Sequence, residues 1–412
     1  MRNIAGSVRA ALKVFWVNLA ILTTLLLAIE AFAFGYYSIR RTLSREDKVR
    51  TYVQAQVARM PKDGYPNPAD QSWFAAYWKE FNDSTYGSAE WGSYTNYHRR
   101  PFRGKYINVD RSGRRVTWNE APADTSGLIR LAFFGGSTAW GTGARDEFTI
   151  PSHISKLLAA RYPHRFHVTN YGQDGYVNTQ ELITLLREIQ MGRTPAVAIF
   201  YDGYNDIFSA MQAGTAGITM NEYNRVREFN ILHPSRARDL YFEVLSRTNS
   251  FQLVQGIRES VWPQVVVADS LEGKDTEALA HDVVRVYANN LKVLSVIARQ
   301  FGIGVQFYWQ PAIFTKVPTT EMEATIIQNT PNFPPFYRQV QDTMRKDQSI
   351  VGHPNFRDIS SLLDGSKTAF IDTIHVTELA NEAIAREMVA GLKDELDRAV
   401  EIQLRKVQRP EN

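Results

Sequence analysis

The chain has 412 residues, 44% of them hydrophobic and 22% charged, the balance of a globular protein with a real core in one large domain or two ordinary ones. A net charge of +4 is too small to imply nucleic acid, and the basic residues form no stripe interleaved with aromatics. With no cysteine, neither a disulfide framework nor a thiolate metal site is available.

Residues 1–13 read as an N-terminal tail. Residues 14–37, VFWVNLAILTTLLLAIEAFAFGYY, match the roughly 20 apolar residues that cross a bilayer core. No small-residue cleavage site of the A-x-A kind follows, so the segment reads as an uncleaved single-pass anchor with the lipid bilayer as its partner. Asn18 and Glu30 interrupt it, and Glu30 lies about two turns from the polar end, where its carboxyl can reach the interface or be protonated. Arg2, Arg9 and Lys13 precede the span, while Arg40, Arg41, Arg45, Lys48 and Arg50 follow it. Counting charges would leave the large domain inside, yet long domains translocate despite such counts, so charge leaves sidedness open.

Residues 38–126 read as a polar helix rising from the membrane and then an apron rich in Trp, Tyr and Asn, whose aromatics are expected to pack on the main domain. Alternation from Lys105 to Thr117 about a turn at Asp110–Gly113 predicts a hairpin.

From residue 127 to 395 strands and helices alternate. Leu128–Phe134 is a buried strand, Pro151–Tyr162 a helix, His167–Tyr171 a strand and Thr179–Met191 an amphipathic helix. Ala196–Tyr201 is a strand, Thr276–Phe301 a long helix, Gly304–Trp309 a strand, Ala369–Ile371 a last short strand and Glu378–Leu396 the closing helix. This alternation predicts an α/β domain with a parallel sheet covered on both faces. Insertions at about 207–271 and 312–356 are too long for ordinary connections and read as lids or an accessory helical layer. Residues 396–412 read as a C-terminal tail.

The chemistry is expected at four loops. Gly135-Gly136-Ser137-Thr138 ends the first strand, where open α/β sheets place their ligands. The plainer reading of that turn is a corner in which Ser137 caps a helix. Asn170-Tyr171-Gly172-Gln173-Asp174-Gly175 follows the second strand, Gly203-Tyr204-Asn205-Asp206 the third, and Asp372-Thr373-Ile374-His375 the last. Together they offer a hydroxyl, an imidazole, a carboxylate and amide donors, the set that acyl transfer requires.

These four segments resemble the sequence blocks of the SGNH (GDSL-type) hydrolase family over about residues 127–395. The first block departs from Gly-Asp-Ser-Leu at its second and fourth positions. The resemblance implies a flavodoxin-like three-layer α/β/α fold with Ser137 as nucleophile, His375 as base and Asp372 orienting His375. It implies an oxyanion hole from the N–H groups of Ser137 and Gly175 and the Asn205 amide, with no cofactor and no metal. Membrane-anchored members of the family look like envelope- or exopolysaccharide-modifying enzymes. That implies an extracytoplasmic domain acting on an acylated carbohydrate or other small ester. Three functions fit: an esterase removing O-acetyl or other short acyl groups, an acyltransferase passing the group to a sugar hydroxyl, and a silent polysaccharide-assembly factor.

Other motifs carry less. His164 and His167 lack a third metal ligand, and His98, His153, His233, His281 and His353 have no partner pattern. Gly141-Thr142-Gly143 lacks the third glycine of a dinucleotide fingerprint. Ala139 stands where the α/β-hydrolase elbow needs glycine. Asp202 and Asp206 suit loop-shaping better than glycoside hydrolysis.

Overall fold

The computed structural model describes residues 2–85, 89–120, 127–222, 225–226, 244–254, 275–330 and 332–408. They fall into two compact units, residues 1–52 with 223–268, and residues 53–222 with 269–412.

The first unit is dominated by helix α1 (Arg2–Ala58), whose last turns pass into the second unit. Its stretch Val8–Ile39 is long and apolar enough to cross a membrane, and most of its side chains are exposed. The expected anchor and the polar helix after it are thus one continuous helix.

The second unit opens with α2 (Phe74–Thr85) and two small antiparallel pairs, β1 (Ala89–Gly92) with β2 (Asn96–Arg99) and β3 (Phe102–Arg103) with β4 (Asn108–Val109). The turn at Asp110–Gly113 forms as expected, with Asp110 N–H donating to the Arg114 carbonyl at 2.8 Å. Trp73, Phe74, Tyr77 and Trp78 are buried, so these apron aromatics are packing residues.

Five parallel strands follow: β5 (Ile129–Gly135), β6 (Phe166–Asn170), β7 (Val197–Asp202), β8 (Gly304–Trp309) and β9 (Phe356–Asp358). Their spatial order is β6-β5-β7-β8-β9. Counted along the sheet this is 2-1-3-4-5, the flavodoxin-like order, whose direction reverses beside the first strand. β7 is buried along its whole length, because a parallel sheet covered on both faces needs unbroken apolar strands.

The connecting helices complete three layers. α3 (Ser137–Trp140) and α4 (Ile150–Arg161) follow β5, and Thr149 caps α4 by accepting from Ser152 N–H. α5 (Asn178–Gln190), α6 (Tyr204–Ala213) and α7 (Thr276–Phe301) pack together, α7 turning Val283, Tyr287, Leu291 and Leu294 inward. α8 (Glu321–Gln328), α9 (Phe333–Lys346) and the short α10 (Gln348–Val351) lie in the expected second insertion. α9 buries Phe336, Tyr337, Val340 and Met344 against α6 and α7, so this insertion is a helical layer of the core. α11 (Glu378–Gly391) packs on α4, and α12 (Lys393–Gln408) packs on β5, β7 and β8.

Three expectations change. Ala369–Ile371 is not a sheet strand: Phe370 makes one antiparallel bridge with Val376, and Ile371 N–H donates to the His375 carbonyl at 2.9 Å. The backbone there closes a turn on itself, and the fifth strand is β9 instead, too short and too polar to show in the sequence. The closing helix breaks at Leu392, and α12 then carries buried Leu396 and Ala399 beyond residue 395. The first seven residues of the expected insertion at 207–271 belong to α6, with Ile207 and Ala210 in the core; residues 227–243 and 255–271 lie outside the described residues.

Candidate active site

β5 delivers its chain to Gly135 and Gly136, and Ser137 then opens α3. A Cβ on Gly136 would collide with Asn205 Nδ2, so glycine here leaves the Asn205 amide the space in which it stands. Across the turn, Ser137 Oγ lies 2.7 Å from His375 Nε2. His375 Nδ1 lies 2.6 Å from Asp372 Oδ2. The other Asp372 oxygen accepts the backbone N–H groups of Ile374 (2.9 Å) and His375 (2.8 Å), which holds the carboxylate facing the ring. The three-residue spacing therefore works as an Asx-type turn.

Burial disfavours both charged forms, but the charge of each partner and the hydrogen bond between them prevail. His375 is held above its ordinary value and Asp372 below it.

Gly175 has φ +68°, a conformation that side chains resist. Neither its N–H nor that of Ser137 has an acceptor among the described residues. Asn205 Nδ2 donates one hydrogen to the Tyr176 carbonyl at 2.8 Å, leaving a second to donate. Tyr204 OH lies 2.7 Å from Thr373 Oγ1, joining the β7 loop to the turn that carries His375. The four segments singled out in the sequence thus meet at one end of the sheet, outside the carboxyl ends of its strands.

No family model and no curated protein matches the chain. Solved structures do. It resembles Axe2, an acetylxylan esterase from Geobacillus stearothermophilus, at 14% identity and a TM-score of 0.33, over 64% of this chain and 94% of that one. TesA resembles it at 14% identity and a TM-score of 0.34, over 65% and 99%. The acetyl xylan esterase AlAXEase does so at 14% and 0.33, over 64% and 100%.

The sequence assigned no role to Asn170 or Thr138 within the site segments and did not single out Arg99 or Arg115. Asn170 Nδ2 donates to the Ala139 carbonyl at 2.9 Å, and its Oδ1 accepts Gly172 N–H at 2.8 Å, clamping the β6 loop to α3. Thr138 Oγ1 donates to Gln310 Oε1 at 2.9 Å. From the apron, Arg99 and Arg115 both lie against Trp140, and Arg99 pairs with Asp174. Arg115 binds Asp146 and the Gly141 and Ala144 carbonyls, fixing the chain just past α3. No periodicity marks either arginine; the one hint was that the apron is rich in aromatics.

Beneath the Asn205 loop, Glu181, Asp202 and Asp206 are all buried. Asn178 donates to two of them, through Nδ2 to Asp202 (2.8 Å) and through its N–H to Asp206 (3.1 Å). Glu181 Oε2 and Asp202 Oδ1 have no donor among the described residues. Desolvation, then mutual repulsion, pushes Glu181 and Asp206 upward, and desolvation does the same to Asp202. A proton shared between Glu181 and Asp202 satisfies both. Asp202 and Asp206 thus shape the loop from below.

Proposed function

We propose that the protein is a membrane-anchored serine ester hydrolase of SGNH type that removes O-acetyl or other short acyl groups from an envelope carbohydrate, its large domain on the extracytoplasmic side. The observation that carries this reading is the unbroken hydrogen-bonded line from Asp372 through His375 to Ser137.

In this reading Ser137 Oγ attacks the ester carbonyl carbon while its proton passes to His375 Nε2. Asp372 keeps the proton on Nδ1 and stabilises the imidazolium. The carbonyl oxygen, now an oxyanion, receives the N–H groups of Ser137 and Gly175 and the second hydrogen of Asn205 Nδ2. Collapse breaks the bond to the alcohol oxygen, which leaves with the proton from His375. Water then gives its proton to His375 and its oxygen to the acyl carbon, and a second collapse frees the carboxylic acid and Ser137. The charge pattern at His375 suits this cycle, because its imidazolium must persist between steps.

The test is labelling by a fluorophosphonate probe together with hydrolysis of a small acetyl ester. Wild-type protein should do both and Ser137→Ala neither. Ester hydrolysis that survives Ser137→Ala would refute the reading. Acyl transfer to a sugar hydroxyl uses the same residues, so product analysis of an acetyl donor with and without an acceptor oligosaccharide bearing free hydroxyls separates transfer from hydrolysis.

A further inference from the structure

We propose that residues 244–254 form a second membrane-embedded segment of this chain, docked on the anchor helix through Glu30 at the depth of the lipid acyl chains. The inference rests on the reading of residues 14–37 as an anchor.

Glu30 is the one charged residue between Lys13 and Arg40. At about 1.5 Å per residue, Lys13 and Arg40 lie about 40 Å apart, the thickness of a bilayer with its headgroups. Glu30 then lies about 15 Å from Arg40 along the axis, about 10 Å inside the hydrocarbon. A carboxylate held ionised at that depth, short of the interface, needs donors from protein. Here it is: Glu30 Oε1 accepts the Asn249 N–H at 2.7 Å and Asn249 Nδ2 at 2.8 Å, and Oε2 accepts the Ser250 N–H at 2.9 Å. One turn along α1, Ala33 is fully buried while Phe32 and Phe34 are exposed, so a narrow face of the helix is covered at this point.

The docked segment is built for a solvent without hydrogen bonds. Backbone N–H groups from 247 to 252 are each donated: Arg247 to the Val244 carbonyl, Thr248 to the Leu245 carbonyl, Asn249 and Ser250 to Glu30, Phe251 to Thr248 Oγ1 and Gln252 to the Thr248 carbonyl. Residues 244–246 and 249–254 are helical and Thr248 caps the second piece, so the backbone needs no water here, as hydrocarbon requires. Glu30 supplies acceptors for the two N–H groups that the segment does not pair for itself. Arg247 is the one charged residue from 244 to 254; it is exposed near the segment's start, and its long side chain can reach the headgroups. Val254 projects outward, 65% exposed, which is unfavourable in water and favourable against acyl chains.

The natural absence of cysteine makes the test direct. Leu27→Cys and Val254→Cys, both at exposed positions, are each labelled with an environment-sensitive fluorophore in the full-length protein. The labelled proteins are reconstituted in phosphatidylcholine–phosphatidylglycerol vesicles. Nitroxide on the acyl chains should quench both labels more strongly than nitroxide on the headgroups, and aqueous iodide should quench neither. Adding Glu30→Ala should make the Val254 label, and not the Leu27 label, severalfold more sensitive to iodide. A Val254 label in water beside a Leu27 label in lipid overturns the inference and leaves the anchor standing. A Leu27 label in water refutes both. A Val254 label equally deep with and without Glu30 overturns the docking.

Discussion

The Arg99 guanidinium lies 3.8 Å from the centre of the Trp140 ring, and through it the N-terminal apron grips the turn that carries Ser137. The same side chain donates to Thr85 Oγ1 at 2.8 Å and pairs with Asp174, the residue before Gly175. One arginine therefore braces both the β5 and the β6 loops. A planar guanidinium can stack on a ring and bind a carboxylate at once, which a lysine cannot.

Arg99→Ala should therefore cost about 2 kcal/mol of stability, less than a fully buried pair because Asp174 is partly exposed. It should lower kcat more than it raises KM, since the loops that carry Ser137 and Gly175 lose their spacing. Arg99→Lys should recover less than half of the loss. Thermal unfolding and steady-state ester hydrolysis check this, and equal activity in all three proteins would free the apron of any role at the site.

Asp372→Asn should lower kcat/KM roughly 10⁴-fold, the order known for the same change in a serine-protease triad. The sign of the pH effect also follows. Activity needs neutral His375, and Asp372 holds the imidazolium above its ordinary value against the opposing effect of burial. In wild type the activity therefore rises with pH along a limb above the ordinary imidazole range. Removing the carboxylate leaves burial opposed only by the weaker pull of Asp174, so the limb should move to lower pH. A pH profile of kcat/KM for the two proteins measures the shift, and an unmoved limb would take Asp372 out of the relay.

Asn205→Ala should lower kcat by 10²–10³, about 3–4 kcal/mol, with little change in KM, because an oxyanion donor acts only once charge develops. Gly136→Ala offers an independent route to the same loss. Its Cβ would occupy the space of Asn205 Nδ2 and push the amide off its bond to Tyr176. Both variants should stay folded and keep Ser137 in place. Kinetics beside circular dichroism test this; a Gly136→Ala enzyme of normal kcat would mean that Asn205 need not stand at that turn.

The legible parts of this chain were those in which chemistry and periodicity coincide. The strands β5, β7 and β8 are unbroken apolar runs because both their faces are covered, and such runs are visible in one dimension. The four site segments carry residue types that have few other uses together. What stayed hidden depends on distance in space. β9 is three residues with two of them exposed, so no pattern marks it. Arg99 and Arg115 read as apron charges until Trp140 is placed between them. Ala369–Ile371 looks like a strand because its residues are apolar, yet its backbone is committed to the turn that holds Asp372 and His375.

The acid cluster predicts how stability depends on pH. Glu181, Asp202 and Asp206 are buried, and their native values are raised by desolvation. Tyr287, from α7, faces the same charges and is itself pushed up by burial and then by Asp202, so its hydroxyl stays neutral and brings no charge to the cluster. In the unfolded chain these carboxyls lose their protons near pH 4. Between there and the raised native values the folded protein binds more protons than the unfolded one, so stability falls as pH rises. Glu181→Gln replaces the proton-bearing carboxyl with an amide that donates to Asp202 without titrating. Denaturant unfolding from pH 4 to 8 should show a shallower decline for Glu181→Gln, leaving it ahead of wild type by about 1 kcal/mol or more at pH 8, where each pH unit of retained protonation costs about 1.4 kcal/mol. Glu181→Ala, which leaves Asp202 without that partner, should be less stable than Glu181→Gln at every pH. Parallel curves for wild type and Glu181→Gln would mean that the three carboxyls carry no shared proton.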